Sequence, residues 1–179
     1  EATRQQIILN LGRAAEYKDN ETGMHVLRMS HYSRLLAKAS GANPDWVKLI
    51  FAAAPMHDVG KIGIPDHILL KQGTLTENEW QIMRQHPVIG AEIIGIHDSE
   101  LLTMAREIAL YHHEKWDGSG YPNQLKADAI PLCARIVAVA DVFDALTSKR
   151  PYKEAWDIEK AFAYMLKQSG RHFQPDLVD

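Results

Sequence analysis

Cysteine is almost missing from this chain. Among 179 residues there is one, Cys133, so no internal disulfide can form, and its apolar setting in PLCARIVAVA marks it for packing rather than chemistry. Charge of one sign is missing too, because 20 Lys and Arg stand against 23 Asp and Glu for a formal charge of -3. That balance argues against a DNA or RNA duplex as partner, while leaving room for a small nucleotide gathered by a local basic patch. No apolar run approaches the roughly 20 residues of a membrane span, and no basic-then-apolar leader is visible. The expectation is a cytoplasmic protein with no membrane contact from this segment. Hydrophobic residues at 46% and charged residues at 24% supply a core of their own, which excludes disorder and predicts one domain over residues 1–179. What the chain has in excess is histidine, nine in all.

Apolar residues recur at helical spacing from Ile7 to Ala15 and from Val26 to Ala37, with the polar stretch KDNETG between them. Asn43 followed by Pro44 predicts a capped third helix through Trp46, Leu49, Ile50 and Ala53 toward His57, its end kinked by Pro55. Gly60, Gly63 and Pro65 then break the pattern and leave His57 and Asp58 at the mouth of a helix. Thr76 with Glu79 is a capping-box signature for a helix through Trp80 and Met83, and Pro87 permits the next, through Ile93. Further helices are predicted over Leu101 to His113, Leu132 to Leu146 and Ile158 to Lys167, with Pro175 opening a last one. Neither a hairpin nor a repeat is visible, so the fold class expected is all-α, a compact bundle of about six to eight helices with no significant sheet.

Glu21 and His25 are four apart and fall on one helical face, which alone is an ordinary surface pair. His57 with Asp58 and His112 with His113 are adjacent pairs at helix ends, the second running directly into the glycine-rich WDGSGYP loop. Asp141 sits within RIVAVADVFDAL, where its surroundings demand burial. Its carboxylate then needs a metal ion, a salt bridge to Arg135 or Arg150, or a capping role. His86, before Pro87, is either a further ligand or a cap. Trp46, Trp80 and Trp156 fall in helical patterns and read as packing residues.

Together these segments resemble the HD-GYP family of metal-dependent phosphohydrolases, within the HD superfamily. The resemblance rests on HDVGKIGIPD from His57 to Asp66, HHEKWDGSGYP from His112 to Pro122, DNETGMH from Asp19 to His25, the isolated His86, and ADVFDALTSKRPYK from Ala140 to Lys153. It covers nearly the whole chain. It implies an HD-superfamily bundle and a ligand set of Glu21, His25, His57, Asp58, His86, His112, His113 and Asp141. His25, His57, Asp58 and Asp141 would make one metal site, and Asp58 would bridge to a second held by His86, His112 and His113. Members with the early glutamate, here Glu21, resemble three-metal enzymes. The cofactors implied are therefore two or three divalent transition-metal ions, iron or manganese first, with zinc, nickel and cobalt also compatible with mixed nitrogen and oxygen ligands. The carboxylates give the set a negative formal charge, which two divalent ions reverse in favour of an anionic phosphodiester.

The activity so implied is that of a cyclic di-GMP phosphodiesterase, linearising the dinucleotide to pGpG and continuing to GMP by in-line attack of a metal-bridging hydroxide. Asp58 and Lys61 are the expected catalytic residues. Lys61, which alone reads as a surface lysine after a glycine turn, would place positive charge on the transferring phosphoryl oxygens. Arg150 and Lys153, three apart in RPYK, are expected at a guanine edge or distal phosphate, and Asp144 is expected to orient Lys61, a metal-bound water or the Arg150 loop. Gly120, Tyr121 and Pro122 would support the catalytic rim. One departure from the family lies in NQLKADAIPL, where members often carry a glycine and Lys126 and Ala127 stand here. His31, His67, His97 and His172 fall outside the pattern and read as surface, capping or core residues. Three other functions fit the same residues: an inactive cyclic-dinucleotide-binding signalling module, a phosphohydrolase for another cyclic dinucleotide or nucleotide ester, and an HD-type di-iron oxygenase. The family's architecture further implies an upstream receiver or sensory domain, as in two-component response regulators, from which this catalytic region is excised. A homodimer is compatible with the N-terminal amphipathic pattern.

Overall fold

The computed structural model describes residues 2–19, 23–150 and 153–179. Among them run ten α-helices: α1 (Ala2–Lys18), α2 (Met24–Ala39), α3 (Pro44–Ala53), α4 (Asp66–Leu69), α5 (Glu77–Met83), α6 (His86–Ile94), α7 (Glu100–Tyr111), α8 (Leu132–Thr147), α9 (Ile158–Lys167) and α10 (Pro175–Val178). α4 and α10 are single turns, so eight longer helices build the bundle. Short 3-10 turns lie at Ala54–Met56, Val59–Gly63 and Ala127–Ala129. No sheet forms among the described residues, where two isolated bridges pair Arg150 with Lys153 and Ser169 with Phe173. None of the described helices is long and apolar enough to cross a membrane.

The helix starts follow their caps. The Asn43 side chain accepts the Trp46 N–H at the head of α3, with Pro44 in the first helical position. Thr76 and Glu79 satisfy each other's backbone N–H groups at the head of α5, and Asp157 accepts the Lys160 N–H at the head of α9. Beyond α3, Pro55 lies in the tighter 3-10 turn that carries the chain to His57. α7 stops at Tyr111, so His112 and His113 leave the helix one after the other at its last turn.

α8 sits in the middle. Its Ile136, Val137, Ala138, Val139 and Ala140 are consecutive and all buried, which a helix enclosed on every side requires. α2 and α7 pack on it, and Met29 and Ala37 of α2 and Met104, Ala105, Ile108 and Ala109 of α7 share its core with Ile50 and Ala53 of α3, which lies across α2 and α7. A smaller cluster of Ile64, Ile68 and Leu69 takes in Leu75, Ile82, Met83 and Ile89, and so ties α4, α5 and α6 to the segment after Asp58. Trp46 and Trp156 pack against the main core, but Trp80 does not: it is 42% exposed.

The C-terminal segment is fastened to the loop after α7, the His172 carbonyl accepting the Trp116 N–H at 3.0 Å while the His172 ring stacks on Phe173 at 4.2 Å. Burial, with Lys115 adding to it, pushes the His172 pKa down to about 4. An unfolded histidine titrates near 6.5, so between those values the unfolded chain binds the extra proton. This contribution is complete above pH 6.5 and is lost as pH falls toward 4, by about 3 kcal/mol at most. His172→Phe keeps a ring on Phe173 and should flatten that part of a urea-midpoint profile between pH 4 and 7; an unchanged slope would refute the assignment.

Candidate metal centre and substrate cavity

Two groups of inward-facing ligand atoms meet at the centre of the bundle. Asp58, His86, His112 and His113 offer atoms within 4.8 Å of one another, and so do His25, His57 and Asp141. His25 comes from the first turn of α2, His57 and Asp58 from the junction of two 3-10 turns, His86 from the start of α6, His112 and His113 from the end of α7, and Asp141 from the middle of α8. Asp58 connects the groups. Its Oδ2 lies 3.2 Å from His57 Nε2, and its Oδ1 lies 3.3 Å from both His86 Nε2 and His112 Nε2. Asp141 Oδ1 is 3.3 Å from His25 Nε2 and 3.9 Å from His57 Nε2. Adjacent residues can serve one centre here because neither pair lies within a continuous α-helix.

The outer ring nitrogens explain why the inner ones face each other. His57 Nδ1 donates to the Ala54 carbonyl at 3.2 Å, His86 Nδ1 to Met83 at 2.8 Å, and His112 Nδ1 to Ile108 and Ala109 at 3.0 and 3.1 Å. A carbonyl can only accept, so each Nδ1 carries the proton and each Nε2 presents its lone pair inward. The inward nitrogens crowd together: His86 and His113 Nε2 are 3.1 Å apart, His25 and His57 Nε2 3.4 Å. Asp58 Oδ1 and His112 Nε2 are buried and make no hydrogen bond. Buried acceptors aimed at one another need a cation between them. The donor set, imidazole nitrogen with carboxylate oxygen, fits divalent transition metals and suits calcium poorly. Glu21 lies outside the described residues.

Without a cation the charge distributes unevenly. Burial disfavours a protonated His25, but its hydrogen bonds to Asp141 and Asp144 outweigh that and raise its pKa to about 10. Asp58, despite its burial, is held well below the usual carboxylate range by Lys61 and His57. Burial, reinforced by His112 and His86, pushes His113 well down, so that ring is neutral and ready to coordinate.

A cavity of about 310 Å³ opens onto the centre, lined by His25, Asp58, His86, His113 and Asp141, by the charged Asp19, Lys61 and Arg150, and by the apolar Leu69, Leu75, Trp80, Met83 and Tyr121. Lys61 Nζ stands 2.6 Å from Asp19 Oδ2 and 2.9 Å from Asp58 Oδ2. Burial disfavours its charge, yet these two carboxylates raise its pKa, so it is a fixed cation at any working pH and not a surface lysine. A profile for the HD domain matches residues 6–177. The chain belongs to the HD-domain family. It is 50% identical, over 100% of its length, to the cyclic di-GMP phosphodiesterase response regulator RpfG of Xanthomonas campestris pv. campestris, of which it covers 47%. It is 48% identical over 99% of its length to the 3'3'-cGAMP-specific phosphodiesterase 2 of Vibrio cholerae serotype O1, of which it covers 34%. A crystal structure of a cyclic GMP-AMP-specific phosphodiesterase of V. cholerae shares the fold, with a TM-score of 0.72 at 19% identity over 97% of this chain and 46% of that one. The chain thus spans less than half the length of each of these proteins. It is an HD domain related to HD-GYP-type cyclic-dinucleotide phosphodiesterases, with a His and Asp cluster capable of coordinating divalent metal ions.

In this HD domain the GYP loop is fastened to the ligand pair before it. Tyr121 stacks on His113 with ring centres 4.8 Å apart, and its N–H donates to the His113 carbonyl at 3.2 Å. Buried Glu114 accepts the N–H groups of Asn123 and Leu125 at 2.6 and 3.0 Å. A Cβ on Gly120 would stand 2.4 Å from Lys115 N and 2.5 Å from the His113 carbonyl oxygen, so only glycine lets the loop close that tightly. Ala127, in the NQLKADAIPL segment, has φ 52, in the left-handed region that favours glycine. Of the remaining histidines, His97 bonds the Ile94 carbonyl at the end of α6, His31 packs edge-on to Phe51, and His67 is exposed on α4.

Three expected roles change. Asp144 is 1% exposed and lies behind His25, not in the cavity: its Oδ2 accepts a hydrogen bond from His25 Nδ1 at 2.7 Å while Arg28 Nε donates to its Oδ1 at 2.6 Å. Its burial suits the orientation of His25 rather than contact with substrate. Lys153 does not line the cavity either; its Nζ rests on the Ala145 carbonyl at 3.3 Å and over the Trp156 ring, and Pro151 and Tyr152 beside it lie outside the described residues. Arg135 pairs with Asp128 and Gln174 instead of Asp141. Neither spacing nor resemblance gives Arg28, Asp19 or Glu114 a role. For Arg28 a signal was there: His25 and Arg28 are three apart on α2, as Asp141 and Asp144 are on α8, so two facing helices each present a pair. Asp144→Asn should therefore weaken metal affinity by about 10- to 100-fold, the usual cost of losing a partner that orients a ligating histidine, measured by chelator competition. Wild-type affinity in that variant would remove Asp144 from the centre.

Proposed function

We propose that this HD domain is a metal-dependent phosphodiesterase that opens cyclic di-GMP to pGpG and carries it on to GMP. The observation that carries the reading is the single Asp58 carboxylate reaching both ligand groups beside a cavity that holds a fixed lysine cation. Its relatives' names support the substrate class, with cyclic di-GMP favoured by the 50% identical relative and 3'3'-cGAMP by the 48% identical one. In this reading His25, His57 and Asp141 hold one ion, His86, His112 and His113 another, Asp58 is shared, and Glu21 adds a third carboxylate. Iron or manganese best suits that set. Such ions supply Lewis acidity, which activates water near neutral pH and offsets charge on a phosphoryl group.

The chain's own residues do the rest. Lys61, pinned by Asp19 and Asp58, places its ammonium at the phosphoryl oxygens and cannot serve as a base because it stays protonated. Tyr121 is equally unfit as a base, since burial and the nearby Asp58 raise its pKa; its ring holds His113 in place. Arg150, at the cavity wall, is suited to a guanine edge or the distal phosphate, with Lys153 adding positive charge nearby. We take residues 1–179 as one catalytic domain of a longer, regulated protein, in keeping with a relative named as a response regulator. A product time course with purified protein loaded with iron or manganese tests the reading. Linear pGpG should accumulate from cyclic di-GMP and decline into GMP. Faster turnover of 3'3'-cGAMP would move the substrate, and no linear product from either dinucleotide in either metal form would refute the function.

A further inference from the structure

Trp80 departs from the packing role its helical spacing predicts. It lies on α5, a helix with no fully buried residue, and is 42% exposed where α5 borders the cavity. It is not isolated there. Arg84, one turn further along the chain, lies over the Trp80 ring at 5.8 Å and over the Tyr121 ring at 5.5 Å. Tyr121 in turn stacks on His113 with its plane tilted by only 14°. His113, Tyr121, Arg84 and Trp80 therefore form a continuous series of flat groups that leads from the ligand cluster along α5. A guanidinium laid on aromatic faces orders both rings.

The cavity is thus divided by chemistry. Imidazoles, carboxylates and Lys61 gather at one end of it and suit a phosphodiester. The Trp80 indole, with Leu75 and Met83 on the same wall, offers a π-face and apolar contact and no charge to a phosphate. A nucleotide has those two halves. We propose that Trp80, held by Arg84, is the platform on which a purine base of the substrate stacks; this rests on the cyclic-dinucleotide reading above. Trp80 is then a specificity-determining residue, remote from the bond that breaks.

The test compares two probes that differ only in the base, GMP and ribose 5-phosphate, bound to the metal-loaded full chain and followed by calorimetry. Wild-type protein should bind GMP more tightly. Trp80→Ala should weaken GMP roughly tenfold, the scale of base–aromatic stacking lost on such a truncation, and leave ribose 5-phosphate unchanged. Trp80→Phe should recover most of the loss, and Arg84→Gln should give a smaller loss in the same direction. Because Trp80 contributes nothing to the core, metal content and melting temperature should stay at wild-type values in Trp80→Ala. Equal binding of the two probes to wild type, or equal weakening of both by Trp80→Ala, would overturn the platform. The readings fail separately: a base preference that depends on Trp80 in a protein that hydrolyses no cyclic dinucleotide would keep the platform and reject the function. Hydrolysis with a KM unmoved by Trp80→Ala would keep the function and reject the platform.

Discussion

Asp58→Asn is expected to lower phosphodiester hydrolysis by about three orders of magnitude or more, equivalent to about 4 kcal/mol of transition-state stabilisation. The substitution keeps the shape of the side chain and removes what its position uses. Oδ1 faces the Nε2 lone pairs of His86 and His112, and Oδ2 faces His57 and Lys61. An amide can offer one acceptor oxygen, to one side only, and turns N–H groups toward the other. One ligand group must then lose its anionic member, and with it the charge that makes an ion affordable among neutral imidazoles. Metal content per chain should fall along with the rate. Lys61 keeps Asp19 at 2.6 Å, so the variant should still fold. Circular dichroism and metal analysis on the same preparation check both points. A folded variant with wild-type metal content and wild-type turnover would show that the shared carboxylate is not what joins the two groups.

The helices were legible because each carries its own instructions. Asn43 with Pro44, Thr76 with Glu79, and the unbroken apolar stretch of α8 are local signals, and local signals suffice for local structure. The assembly of the centre is not local. His25 and Asp141 stand on different helices far apart in sequence, and no spacing says that they meet; the resemblance to a family implied that meeting, and the bundle brings it about. Where neither spacing nor resemblance speaks, contacts between distant residues leave no trace in the sequence. Asp19 reaches Lys61 across 42 positions, which no periodicity encodes. Trp80 occupies a helical apolar position like Trp46, yet it borders the cavity and is 42% exposed, while Trp46 is half-buried against the main core. Asp144 shows a third case, an acidic residue whose burial was readable from its neighbours while its partners, His25 and Arg28, were not.

Gly60 shows how a residue can be noticed for the wrong reason, and its replacement should have the largest effect on stability. In sequence it looks like a helix breaker beside Gly63. Its backbone has no left-handed φ, so conformational freedom is not what the position demands. Space is: a Cβ there would lie 1.8 Å from the His86 carbonyl oxygen and 2.5 Å from Gly90 N, both main-chain atoms of α6. Neither can rotate away, and relief requires α6 to move as a body. Overpacking of this kind costs about 3 kcal/mol or more, so Gly60→Ala should lower the melting temperature by about 10 °C in a chain of this length. Gly63→Ala is the control, because its Cβ would meet side-chain methyl groups of Ile89 and no main-chain atom; a smaller loss, of about 1 kcal/mol, is expected there. The two glycines should also differ in function. α6 begins at His86, whose Nε2 faces Asp58 Oδ1 at 3.3 Å, so displacing α6 pulls one ligand from its group. Gly60→Ala protein that remains folded at low temperature should bind less metal than wild type, whereas Gly63→Ala should bind the same. Equal melting temperatures for the two variants would mean that α6 does not rest on Gly60, and the path by which His86 reaches the centre would need another support.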